Sequence, residues 1–384
     1  MSLFRDLAIV IPFAFWPVDS SFAALTTPIT RLVTLDRSAI AGNRHAAHEL
    51  RLLARAGNPD AENILGNLYL NGQGFSQNYT KADYWYKKAA AQGNAYAETT
   101  LGHIYNITGR LVKANYIKAV YWFRKAAAQG NAEAEFRLGS NYLAGLGVKK
   151  SATKAAAWWR KAAAQGYSAA EYYLGGLYLT GKGTSQDYEK AAFWYRKAAE
   201  QGNRHAELDI GVRYLSGQGV RQSYTKAAAW WRKAAAQGSP AAEMMLALLH
   251  ALGQGVPKNF VKAAYWYRKA AAHGYAGAEN NLGLLYATGR GVAQNDTTAI
   301  AWWQKAAAQG YVIAEANLGM FYVLGRGVPQ DYISGLKWLI LAKESGLRSA
   351  AKAIREVEHI ATTAQVARAK TLANEWWMTH HDKH

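Results

Sequence analysis

One tryptophan returns at a fixed interval along this chain: Trp85, Trp122, Trp158, Trp194, Trp230, Trp266, Trp302 and Trp338, spaced 37 residues once and 36 thereafter. A fixed period of about 20–50 residues marks one supersecondary unit copied and stacked, and it outranks every other signal in a sequence. Such a stack grows in one dimension, so 384 residues need not divide into several globular domains. The functional question becomes what the stack holds.

The copies compare with one another on their terminal glycine, from Gly57 to Gly346, which brackets eight repeats over residues 58–346. The first half of each reads Ala-Glu-x-x-Leu-Gly-x-x-Tyr. In the fourth copy Ala170, Leu174, Leu177 and Tyr178 share one face at helical spacing. Gly175 lies beside that face. Its counterpart is glycine in seven of eight copies, Ala247 being the exception, and a mid-helix glycine costs about 1 kcal/mol against alanine. The expectation is that a second helix passes close by. A Gly-x-Gly turn follows, as in Gly181-Lys182-Gly183, with the first glycine suited to a helix end and the second to a turn. The second helix is expected to start seven residues before each tryptophan, capped by Asn78, Asn115, Ser151, Asp187, Ser223, Asn259, Asn295 and Asp331. On its wheel Trp158, Trp159, Ala155, Ala156, Ala162 and Ala163 fill one buried arc, and Lys154, Arg160 and Lys161 face water. Residues 24–57 read as a linker and capping helix, and residues 347–384 as C-terminal capping helices and a tail.

Lys and Arg number 45 against 26 Asp and Glu, a formal net charge of +19. The repeat places most of the excess along the exposed sides of the second helices. Solubility explains such a band; so would an acidic partner or an anionic surface. No nucleic-acid motif accompanies it. With no cysteine, disulfides and thiol chemistry are excluded. Residues 1–23 read as an export signal: Arg5, the apolar run Leu7–Trp16, and small residues at Ser21-Phe22-Ala23, giving a mature chain from near Ala24. The alternatives are an uncleaved anchor and a buried N-terminal segment.

Together, Ala-Glu-x-x-Leu-Gly-x-x-Tyr, Gly-x-Gly-Val and Asp-Tyr-x-Lys-Ala-x-x-Trp-Tyr-Arg-Lys-Ala-Ala-x-Gln-Gly resemble the Sel-one-like repeat (SLR), an αα-hairpin related to the tetratricopeptide repeat. The resemblance covers residues 58–346. It implies an all-α fold, a right-handed α/α solenoid of eight helix-turn-helix units with the first helix of each on the concave side. It also implies a non-enzymatic adaptor that binds protein or peptide; the export-like segment adds the expectation of a periplasmic or secreted setting. Some secreted, cysteine-rich members have been linked to β-lactam binding. The absence of cysteine here sets this chain apart from them.

No catalytic residue, cofactor or metal site is expected. The glutamates Glu62, Glu98, Glu135, Glu171, Glu207, Glu243, Glu279 and Glu315 occupy one repeat position and are expected to tie one unit to the next. His250 stands where other copies carry tyrosine and is expected to pack. The informative variation lies one and five residues after each glutamate, on the side of the first helix turned away from Leu and Tyr. The second row includes His103, Ser140, Leu248, Leu284 and Met320, and the first row is the one with large apolar groups at its centre. Phe136, Tyr172, Leu208 and Met244 stand there in the central copies, with Tyr173 and Met245 beside them. Large apolar groups that packing does not require mark a binding groove; the competing reading is contact between neighbouring first helices. The function expected is therefore a scaffold holding a protein or peptide in that groove. The alternative is an envelope enzyme or small-ligand protein acting on peptidoglycan-like or β-lactam material.

Overall fold

The computed structural model describes residues 28–381; the expected export segment lies outside them. The chain divides into two compact units, Met1–Gln186 and Asp187–His384. In the first, α1 (Ile29–Ile40) and α2 (Arg44–Arg55) precede α3 (Pro59–Asn71), α4 (Tyr79–Ala91), α5 (Ala95–Thr108), α6 (Ala114–Ala128), α7 (Ala132–Ala144), α8 (Ala152–Ala164) and α9 (Ser168–Thr180). The second holds α10 (Tyr188–Glu200), α11 (Arg204–Ser216), α12 (Tyr224–Ala236), α13 (Pro240–Leu252), α14 (Phe260–Ala272), α15 (Ala276–Thr288), α16 (Asp296–Ala308), α17 (Val312–Leu324) and α18 (Tyr332–Glu344), closed by α19 (Ala350–Glu358) and α20 (Thr363–His381). Every described element is a helix; within each unit successive helices of the repeats pack against one another, α19 and α20 both pack on α18, and the architecture of each unit is an α-solenoid. No described helix is long and apolar enough to cross a membrane. The N-terminal region holds one more helix than expected: α2 is paired with α1 rather than alone.

Seven of the expected caps accept a backbone N–H at the start of their helix: Asn78, Ser151, Asp187, Ser223, Asn259, Asn295 and Asp331. Asn115 does not. It lies inside α6, with Lys113 at the cap position and its own Nδ2 donating to Thr108 Oγ1. The cause is one extra residue between Tyr105 and Gly109, where other copies have two residues in that interval and this one has three. The added residue makes α5 a residue longer, and Gly109 falls at φ −61°, in the right-handed region.

Elsewhere the paired glycines hold neighbours in register. In the third copy Gly145 closes α7 at φ +79° and Gly147 sits at φ +67°. A Cβ on Gly147 would lie 2.3 Å from the carbonyl oxygen of Tyr116, in the preceding copy's second helix. The turn therefore needs glycine twice over, for its left-handed backbone and for its contact with the previous repeat.

The core is an alternation of small and large. Ala155, Ala156, Ala162 and Ala163 are buried around Trp159, as expected. The recurring tryptophan itself is not the deepest residue. Trp158, Trp194, Trp230, Trp266 and Trp302 are half-buried, and the ring that follows each one is buried: Trp159, Tyr195, Trp231, Tyr267 and Trp303. That second ring fills the space left by the helical glycine. A Cβ on Gly139 would lie 2.4 Å from Trp159, and one on Gly211 would lie 2.3 Å from Trp231. The indole N–H of Trp159 donates to the Phe136 carbonyl at 2.9 Å, that of Trp231 to Leu208 at 3.1 Å, and that of Trp303 to Asn280 at 3.0 Å. The half-buried tryptophans carry a lysine ammonium over their faces: Lys161 over Trp158 at 4.4 Å, Lys233 over Trp230 at 4.3 Å and Lys305 over Trp302 at 4.4 Å. Part of the basic band thus covers aromatic surface.

Candidate functional site

The repeated glutamates are structural, and they close a hairpin rather than join successive units. Gln92 Nε2 donates to Glu62 at 2.7 Å, Gln129 to Glu98 at 2.8 Å and Gln165 to Glu135 at 2.8 Å, each from the end of a repeat's second helix to the start of its first. Gln237–Glu207 and Gln309–Glu279 repeat the pattern. Burial pushes the carboxyls of Glu98, Glu135, Glu207 and Glu279 above the usual range, against the lowering effect of these bonds. In the eighth copy Ser345 replaces the glutamine, and burial raises Glu315 to about 7. His250 is buried, with Nδ1 3.4 Å from the Pro257 carbonyl. Among the described residues no cluster of three or more His, Asp or Glu could hold a metal ion.

The six residues of the expected groove occupy different environments. In the first unit Phe136 is buried at 7% exposure, whereas Tyr173 is 47% exposed and Tyr172 is half-buried. In the second unit Leu208, Met244 and Met245 are all half-buried. Met244 packs toward the next first helix, with Cε and Sδ 3.1 and 3.2 Å from where a Cβ on Gly277 would lie. Phe136 is thus not offered on an open face, as the wheel implied. A first helix in a solenoid has packed flanks on two sides, its own partner helix and the next repeat, so turning away from Leu and Tyr does not mean turning toward water.

What the structure brings together is a pocket of about 300 Å³ within the first unit, lined by Phe136, Arg137, Ser140, Leu143, Ala144, Trp159 and Tyr173. Its helices are α7, α8 and α9. The Phe136 ring centroid lies 6.1 Å from Trp159 and 5.7 Å from Tyr173, and Trp159 lies 5.3 Å from Tyr173. Tyr167 backs Phe136 at 5.4 Å, and Tyr172 meets Tyr173 edge-on at 5.3 Å. The Arg137 guanidinium stands 5.5 Å from the Phe136 centroid and pairs with Glu133 at 3.3 Å. Glu133 also meets His103 Nε2 at 2.9 Å. Burial alone would raise the Glu133 carboxyl; His103 and Arg137 outweigh it and hold the group below the usual range. The pocket is therefore an aromatic floor with one guanidinium at its edge, suited to an apolar or aromatic side chain.

The sequence pointed to Phe136 and Tyr173, and to Ser140 among the outward variable positions, but not to Trp159, Arg137 or the backing Tyr167 as site residues. Tyr167 carried a signal. It stands at a first-helix cap position that Asn58, Asn94, Asn131 and Asn203 fill in other copies, and it makes no side-chain cap bond; Tyr275 and Tyr311 stand there in the same way, so the signal does not single it out.

Comparison with known proteins fits this architecture. The family model described as "Sel1 repeat" matches eight consecutive segments: 59–94, 95–131, 132–167, 168–203, 204–239, 240–275, 276–311 and 312–347. A Sel1 repeat protein from Oxalobacter formigenes is 30% identical with a TM-score of 0.60, over 89% of this chain and 98% of that one. A protective antigen of uropathogenic Escherichia coli with an SLR fold is 28% identical with a TM-score of 0.58, over 92% of this chain and 85% of that one. No curated protein matches the chain.

Proposed function

Since this chain belongs to the Sel1 repeat family, whose members are generally protein-interaction scaffolds, we propose that it is a non-enzymatic adaptor whose first unit captures a protein segment by an apolar or aromatic side chain. The observation that carries this reading is the pocket at Phe136, Trp159 and Tyr173. The repeat supplies Trp159 for packing, but it does not dictate Phe136 or Tyr173. The first of these positions is Asn63, Thr99, Asn280 or Ala316 in other copies that fold the same way. Aromatic anchors set in a pocket are what peptide capture uses. Arg137 at the edge favours a segment with a carboxylate beside its anchor.

Export to the periplasm or beyond belongs to the same proposal. Its support is the apolar run Leu7–Trp16 followed by Ser21-Phe22-Ala23. N-terminal sequencing of the protein from envelope fractions should read from near Ala24; a chain beginning at Met1 or Ser2 in the soluble cytoplasmic fraction contradicts export.

The capture reading is tested by site-specific photocrosslinking in cells. A benzophenone amino acid at Tyr173 should trap a discrete protein partner, and the same group at Tyr265, an equally exposed aromatic on α14, should not. No adduct at 173, or the same adducts at both positions, contradicts it.

A further inference from the structure

The second repeat departs from the turn rule, and what it carries instead is apolar and basic. At the position of the second glycine it has Leu111, followed by Val112, on a turn formed as their N–H groups donate to the Thr108 carbonyl. Leu111 is 66% exposed and Val112 53%. One turn into α6, Ile117 is 62% exposed; Tyr121, four residues on and on the same helix face, is 52% exposed. Ile117 has a polar counterpart, Thr153, in the regular third repeat. Four large apolar groups within eleven residues therefore face water, and the repeat's packing asks for none of them.

Charge surrounds them with one sign. No Asp or Glu occurs between Glu98 and Glu133, while Arg110, Lys113, Lys118, Arg124 and Lys125 all lie in that interval and are exposed. Among the described residues Arg110, Lys113, Lys118 and Arg124 form no ion pair, while the charge of Lys125 acts on Glu98. The one acid on α4, the preceding second helix, is Asp83, and it is bonded to Lys87 at 2.5 Å. The Lys118 ammonium lies over the Tyr105 ring at 5.4 Å, and the Arg124 guanidinium donates to Tyr142 at 3.0 Å; both side chains are exposed and neither charge is neutralised by these neutral partners.

We propose that this face of the second repeat docks on an anionic lipid surface, with Leu111 and Val112 entering the interfacial layer and Arg110, Lys113 and Lys118 meeting headgroup phosphates. The occupant follows from the combination. A basic patch alone would suit any polyanion, but two consecutive branched aliphatic side chains at the tip of an exposed turn favour a medium they can enter. Tyr121 adds an aromatic ring of the kind that settles at the headgroup level. The inference is independent of the pocket: it uses a different repeat and another set of side chains.

The chain contains no cysteine, so a single introduced thiol reports one position in the full-length protein. Val112→Cys and Thr153→Cys, each carrying an environment-sensitive fluorophore, would be mixed with vesicles of phosphatidylglycerol and phosphatidylethanolamine, of phosphatidylcholine alone, or with polyglutamate. The expected result is a blue shift at 112 with the anionic vesicles only, and none at 153. Adding Lys113→Glu and Lys118→Glu to the labelled Val112→Cys protein should weaken that binding by at least about tenfold. No shift at 112, or equal shifts at 112 and 153, overturns the proposal, as does an equal shift with phosphatidylcholine. A shift with polyglutamate but not with vesicles overturns it in favour of an acidic polypeptide.

Discussion

Trp158 and Trp159 are neighbours in sequence and 100° apart on a helix, yet the structure gives them different work. Trp159 is 1% exposed, fills the place a Cβ on Gly139 would need and donates its N–H to Phe136. Trp158 is half-buried under Lys161. Trp159→Ala should therefore cost about 3–5 kcal/mol and Trp158→Ala about 1–2 kcal/mol, read by urea denaturation. Equal losses would contradict the assignment. Gly139→Ala should destabilise by about 1–3 kcal/mol through the clash with the indole, although alanine is the better helix former. The wheel put both tryptophans on one arc because it resolves a face, not which of two adjacent rings meets the facing helix. Phe136 was misread for a related reason: a wheel drawn for one helix cannot show a second packed flank. Glu315 gives a pH prediction. Its folded value of about 7 lies above the ordinary glutamate value near 4.3. Between those values the folded protein holds a proton that the unfolded chain has released. Stability should therefore fall as pH rises through that window, by about 3–4 kcal/mol at most. Glu315→Gln should remove that part of the slope in melts at pH 4.5 to 7.5; an unchanged slope contradicts the assignment.

At the scale of the element, caps and turns were legible because each is a local rule written in a few residues. Asp187 and Ser223 accept the N–H they were expected to accept, and Gly145 takes the left-handed backbone that a helix end requires. Ser151→Ala should accordingly cost about 1 kcal/mol, measured by thermal melting against wild type. Asn115 escaped because its fate was decided several residues earlier, by the extra residue before Gly109, so the local pattern at Asn115 stayed intact while the backbone reaching it had changed. The N-terminal α1 escaped for another reason. It packs on α2 as a first helix would but carries none of the repeat's phrase, so only its partner could reveal it.

For the molecule as a whole, the period carried the architecture: eight repeats and their α-solenoid class. If the copies are interchangeable, deleting residues 204–239 should leave a soluble, helical, shorter protein, and deleting half that segment should not. Circular dichroism and gel filtration of the two variants decide this, and aggregation of the whole-copy deletion contradicts it. Function was less legible because it resides in what departs from the repeat, and one chain shows each departure once. Phe136 and Tyr173 were visible as departures; their convergence with Arg137, Ser140 and Trp159 on one pocket was not, since three helices supply it. A pocket that binds a partner and a cluster that only packs respond differently to truncation of an exposed ring. Tyr173 separates the two, because it is 47% exposed and lies on the pocket wall. The decisive measurement is the affinity of Tyr173→Ala for the segment trapped by crosslinking, taken beside its melting curve. Binding should be weaker by about tenfold or more with stability lowered by less than about 1 kcal/mol; unchanged affinity would contradict capture by this pocket.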